Sequence, residues 1–256
     1  MRVSPAWLLA ITASISLTVS AAERETETFS YELAQGGRIS LENINGDVEI
    51  TGGSGNKVQI TAEKKADNAE DLAKLEIKIK PEADAIRIET VHEKSESRWS
   101  GSNNSGEVSY TLIVPASVNL DTISTVNGEI IIKGVSGTVN AESVNGDLEL
   151  GNLVGDATLE TTNGSIEASF DSLKGSQRVK ADTVNGRITL LLPDNSSARV
   201  SAETLNGGIN AEDFGLEIEK GGFVGKDLNG SIGSGEARID LDTVNGGIRI
   251  RKQSSS

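Results

Sequence analysis

Ala141-Glu142-Ser143-Val144-Asn145-Gly146-Asp147-Leu148-Glu149-Leu150 decides the fold, because the chain keeps repeating this stretch. Apolar and polar residues alternate on both sides of an Asn-Gly pair, as in two short strands that meet at a tight change of direction. Asn-Gly recurs at 45, 127, 145, 163, 185, 206, 229 and 245, and from Asn127 onward the spacings are 18, 18, 22, 21, 23 and 16 residues. Three positions after the Asn stand Val48, Ile130, Leu148, Ile166, Ile188, Ile209, Ile232 and Ile248. Four positions before it, Leu41, Ile123, Ala141, Leu159, Ala181, Ala202 and Leu241 are apolar. Each unit therefore reads as strand, corner, strand.

Two architectures fit such a unit. Asn-Gly between alternating strands is the strongest short hairpin signal, and a hairpin meander would stack antiparallel sheet. In a β-solenoid, each unit would instead make one coil of about 18–22 residues. The residue just before the Asn is Ile44, Val126, Val144, Thr162, Val184, Leu205, Leu228 or Val244, apolar in all but one unit. A corner whose preceding side chain points into a coil interior explains this better than a hairpin does, so the solenoid is the favoured expectation. Gly accepts positive φ at such a corner, Asn tolerates it, and stacked Asn side chains can hydrogen-bond from coil to coil.

The first two Asn-Gly pairs lie 82 residues apart, so residues 51–115 read as an inserted cap. Asp67-Asn68-Ala69-Glu70 has the spacing of a helix capping box. Strands are expected at Leu75–Lys80, Ala85–Val91 and Glu107–Val114, as a small antiparallel sheet over the N-terminal end of the coils. Glu93–Gly106, rich in Ser, Asn and Gly, reads as a long loop, and Arg251-Lys252 as a guard against further edge pairing. Met1-Arg2, the apolar run Trp7 to Val19 and the small residues Ser20-Ala21-Ala22 have the form of a cleaved export signal. Residues 1–22 are then the signal, 23–256 are one solenoid domain without a membrane span, and the protein is periplasmic, secreted or on the cell surface.

Composition narrows the chemistry. With no Cys, the 256-residue chain has no disulfides, thiolate metal sites or Cys nucleophiles. A formal charge of −14 argues against nucleic-acid partners. The one histidine, His92, stands beside Glu93 and Lys94 and reads as a surface residue. Gly-x-Ser-x-Gly, phosphate-loop and His-Glu-x-x-His motifs are all missing. The chain therefore reads as non-enzymatic with no cofactor. The alternative is a carbohydrate-active β-helix enzyme using clustered acids, although aromatics for sugar subsites amount to only 3% of the chain.

Two features point to binding. Three positions before the Asn stand Glu42, Glu142, Glu160, Asp182, Glu203 and Asp242, which stacked coils would bring within about 5 Å of one another along an outer face. Such a stripe keeps a solenoid soluble. It is also a candidate site for calcium, with Glu142, Glu160, Asp182, Glu203 and Asp242 as ligands, or for a cationic partner. Trp99 and Arg98, in the polar stretch Ser95–Ser102, are candidate contacts for an envelope protein or glycan.

Gly37-Arg38-Ile39-Ser40-Leu41-Glu42-Asn43-Ile44-Asn45-Gly46-Asp47-Val48-Glu49-Ile50, the recurrent Thr/Ser-Val-Asn-Gly units and Gly208-Ile209-Asn210 resemble the bacterial putative-adhesin domain family of unknown function, related to the autotransporter-adhesin head GIN group. The resemblance runs from about Ile39 to Ile250. It implies a right-handed parallel β-helix on an exported or membrane-associated protein, and it brings no catalytic residues with it. An adhesin-like structural or interaction protein of the cell envelope is the function this implies. An envelope-stress or regulatory accessory role is the other alternative.

Overall fold

The computed structural model describes residues 22–92, 106–216 and 225–253. Residues 1–21 of the expected export signal, Trp99 and Arg98 lie outside the described residues. Among the described residues, alternation of period two produces twenty strands in two ten-stranded sheets. One strand of each unit enters each sheet, and the inward side chains of both sheets share a single apolar core. In the Asn145 unit, Val139, Ala141, Leu148, Leu150 and Leu153 are buried while Glu142 and Glu149 face outward. Burying each large aliphatic side chain contributes about 1.5–3 kcal/mol, so the core is built in small equal increments along the stack.

The units stack parallel and in register, as coils of a solenoid-like fold. The corner Asn residues meet one above another, and each Nδ2 donates to the Oδ1 of its neighbour: Asn127 to Asn45 at 2.7 Å, Asn145 to Asn127 and Asn163 to Asn145 at 2.9 Å, Asn185 to Asn163 at 2.8 Å, then Asn245 to Asn185 and Asn206 to Asn245 at 2.9 Å. Asn45 Nδ2 ends this ladder on the Gly106 carbonyl. The coil-to-coil amide stacking expected from the sequence is thus present.

A second ladder lies just inside the first. Two positions before the Asn, Thr125, Ser143, Thr161, Thr183, Thr243 and Thr204 are buried, and each hydroxyl donates to the corner glycine carbonyl of the adjoining coil at 2.8–3.2 Å. Asn43 fills the same place in the first unit, its Nδ2 reaching the carbonyls of Gly46 and Val108. Each buried hydroxyl so satisfied avoids a desolvation cost of about 1–3 kcal/mol.

This geometry overturns the expectation about the residue before the Asn. Strand alternation continues unbroken into the corner, so the polar residue at minus two turns inward and the apolar one at minus one turns outward. Ile44, Val126, Val144, Val184, Val244 and Leu205 are 37–50% exposed. The solenoid-like stack is observed, but not for the reason that favoured it. The glycines are also required differently. Only Gly46 among the corner glycines has a left-handed φ, 116°. At Gly128, Gly146, Gly164, Gly186, Gly246 and Gly207 an added Cβ would overlap the glycine carbonyl of the preceding coil. Close stacking demands Gly at these corners.

Asn229-Gly230 forms no corner: it lies within Lys226–Ile232, which runs antiparallel to Ala198–Asn206 at the sheet edge. Chain order also breaks at this end. In the second sheet Ala237–Asn245 is inserted between Arg178–Asn185 and Ala198–Asn206, and in the first sheet Ile248–Lys252 lies between Ile188–Leu192 and Ile209–Asn210. Arg251-Lys252 pairs with Leu191 and Leu192 on one side only, beyond the reach of Ile209–Asn210 on the other. Lys252 N donates to Asp213 Oδ2, and its ammonium lies 5.6 Å from the centre of the Phe214 ring.

The inserted residues 51–115 do not form a separate small sheet. Ala85–His92 and Glu107–Pro115 add one more coil, parallel to Arg38–Glu42 and Val48–Gly53. Antiparallel strands then finish each sheet: Lys57–Ala66 and Glu23–Glu32 in the first, Leu75–Pro81 in the second. The helix Ala69–Ala73 is capped by Asn68, whose side chain accepts from Asp71 N, one residue later than the capping-box spacing suggests.

Candidate functional site

The outer face of the second sheet carries two parallel rows of side chains. Strand pairing sets the residues at minus three side by side in the order Glu42, Ser124, Glu142, Glu160, Asp182, Asp242, Glu203. Glu89 extends the row at one end and Asp227 at the other. Two residues along each strand, on the same face, runs the apolar row Ile44, Val126, Val144, Thr162, Val184, Val244, Leu205. Strands spaced about 4.8 Å apart make both rows regular. Together they line a groove of about 560 Å³ that extends from Glu142 to Asp227.

Charge along the row is poorly compensated. Lys180 Nζ bridges Glu160 at 3.0 Å and Asp182, and these two carboxylates raise its pKa. Asp182 keeps its other oxygen, Oδ1, buried without a hydrogen-bond partner among the described residues. Desolvation raises the Asp242 pKa, helped by the charges of Asp182, Glu203 and Asp240 and opposed by Lys180. On the first sheet a second acidic group surrounds Glu129, whose pKa is raised by burial and then by Glu149, Asp47 and Asp147. Structural work accounts for part of that group: Asp47 Oδ1 accepts from Glu129 N and Asp147 Oδ1 from Ser165 N, one coil to the next.

Glu142, Glu160, Asp182, Glu203 and Asp242 are therefore brought together, with Asp242 rather than Glu203 next to Asp182. Among the described residues no group of three or more His, Asp or Glu side chains is placed to hold a metal ion. His92 stands half-buried at the end of Ala85–His92, where burial lowers its pKa and its Nε2 has no partner among the described residues. The apolar row was the part missed. Its signal was the recurrent Val or Leu before each Asn, which sequence reasoning assigned to the wrong side of the sheet.

The sequence pattern of the Toastrack DUF4097 family matches residues 38–251. The chain belongs to this family. Three solved structures are similar to this Toastrack chain. A putative cell adhesion protein from Clostridium sporogenes has a TM-score of 0.46 at 16% identity, over 90% of this chain and 100% of that one. A putative adhesin from Bacteroides fragilis has a TM-score of 0.35 at 13% identity, over 88% and 97%. A putative lipid binding protein from Parabacteroides distasonis has a TM-score of 0.31 at 14% identity, over 90% and 97%. No curated protein matches the Toastrack chain significantly. Among its described residues no helix is long and apolar enough to cross a membrane.

Proposed function

We propose that this Toastrack chain is an exported, non-enzymatic envelope protein of adhesin-like type, working by presenting its outer face to a cationic, partly apolar partner surface. The observation that carries the reading is the acidic row lying beside an exposed apolar row, on coils held in register by two hydrogen-bond ladders. Apolar side chains exposed in line are what a docking surface offers. A single-sign charge row beside them selects and steers a partner of opposite sign. On this reading residues 1–22 are a cleaved export signal and 23–256 form one domain wound right-handed, acting in the periplasm or at the cell surface.

The test is retention of the purified protein on isolated cell envelopes across a salt series. Glu142→Gln, Glu160→Gln and Glu203→Gln combined are expected to cut retention at least about fivefold at low salt, and about 0.5 M salt to do the same to the wild type. Equal retention of the wild type and the triple variant at every salt would overturn the reading.

A further inference from the structure

In a chain of charge −14, three arginines stand in a row on neighbouring strands of one face. Pairing sets Arg178 beside Arg238 and Arg238 beside Arg199, each seven residues before a corner Asn and each exposed. The inserted C-terminal coil places Arg238 between the other two, making a row of three. Like charges on adjacent strands repel one another, so the row is not a stabilising feature of the fold. Compensation within the protein is slight. Arg238 Nε donates to Asp240 Oδ2 at 2.7 Å, whereas Arg178 and Arg199 make no ion pair among the described residues.

The row lines a groove of about 840 Å³, distinct from the acidic one. One side is the turn Gly233–Glu236. Gly235 there has a φ of 72°, and a Cβ on it would stand 3.2 Å from Arg199 Cγ and 3.3 Å from Ser231 Oγ, so glycine keeps the space over Arg199 clear. The segment carrying Ser176 and Gln177 lines it as well, joined to the turn where Gly175 N donates to Glu236 Oε2. Ser231 and Asn229 add a hydroxyl and an amide on the edge strand, and Asn229 accepts from Ser201 through its Oδ1. Among the described residues, the charged groups lining the groove are the three arginines, Asp240 and Glu236. Asp240 is held by Arg238 and Glu236 by the Gly175 amide, so the Arg178 and Arg199 guanidinium groups have no carboxylate partner among the described residues.

We propose that this groove binds a polyanion of the phosphate class, a molecule carrying at least two tetrahedral oxyanions roughly 5–10 Å apart, the span of two to three strands. A guanidinium offers paired N–H donors to such an oxyanion, and a row of them reads repeated charge instead of a single ion. The inference does not rest on the acidic row, since neutralising that row leaves the arginine groove intact.

The test measures binding at low salt by titration calorimetry with inorganic tripolyphosphate and with monophosphate, and by flotation with phosphatidylcholine vesicles with and without phosphatidylglycerol. Tripolyphosphate is expected to bind at least about tenfold tighter than monophosphate, and Arg178→Gln with Arg199→Gln to lose at least about tenfold of that affinity. Arg178→Lys with Arg199→Lys should restore part of it, and Arg38→Gln, on a distant arginine paired with Asp84, should leave it unchanged. Vesicle binding that depends on phosphatidylglycerol and on these arginines would put the phosphates on a lipid surface, and tripolyphosphate binding alone would make the ligand a free polyanion. Binding of neither probe, or binding lost equally in Arg38→Gln, overturns the proposal.

Discussion

The middle of the stack and its C-terminal end are made from the same unit, yet they place residues by different rules. From Asn127 to Asn185, sequence neighbours are spatial neighbours, and each coil rests on the one written just before it. Beyond Asn185 the chain first builds the outer Asn206 coil and its antiparallel edge, then returns to slot the Asn245 coil between Asn206 and Asn185. The corner chemistry is indifferent to the change: Asn245 and Thr243 make the same contacts as Asn163 and Thr161. The composition of the outer face is not indifferent. The insertion gives Asp182 and Glu203 a shared neighbour in Asp242, and Arg178 and Arg199 a shared neighbour in Arg238. The repeat sets the rod, and the order of its coils sets what the rod displays.

The largest expected effect tests whether the inserted coil is packed as tightly as the middle. Gly164→Ala and Gly246→Ala each drive a Cβ into a neighbouring glycine carbonyl, and each should cost about 3 kcal/mol or more in chemical unfolding. Gly230→Ala, in the Asn-Gly that makes no corner, meets only the Leu216 side chain and should cost about 1 kcal/mol or less. Equal cost at Gly164 and Gly230 would mean that the dipeptide, not the stacking, matters.

A smaller effect belongs to the acidic row alone. The folded-state pKa of Asp242 lies above its ordinary value, so its favourable contribution is complete below the unfolded value of about 4 and is lost as pH rises through the raised one. At pH 7 the charged form is therefore a burden. Asp242→Asn should raise the melting temperature at pH 7, and the gain should shrink as pH falls towards about 4. A gain independent of pH would show that desolvation and Asp182 are not its cause.

Much of the rod is legible from residues. Val48, Ile130, Leu148 and their equivalents identify the inward faces, and the Asn row implies its own ladder. Two further signals lie in the sequence and take their meaning only from the packing. Thr125, Ser143, Thr161, Thr183, Thr204 and Thr243 look solvent-exposed because they are polar, yet each is buried with its hydroxyl on a carbonyl. Asp227 stands where these hydroxyls recur, and that departure marks Asn229-Gly230 as no corner. The order of the coils is a different matter. Every corner from Asn127 onward presents the same Asn, Gly and hydroxyl to its neighbours, so local chemistry cannot say which of these coils sits on which. The arginine groove and the Asp182–Asp242 contact are hidden in the sequence for that reason.

The order of the coils can be read directly, because the chain has no Cys to interfere. Asp182→Cys paired with Asp242→Cys should form a disulfide on mild oxidation, since neighbouring strands about 4.8 Å apart fall within bridging range. Asp182→Cys paired with Glu203→Cys spans two strand intervals, about 10 Å, and should stay reduced. Crosslinking of the second pair but not the first would contradict the inserted coil and the rows built on it.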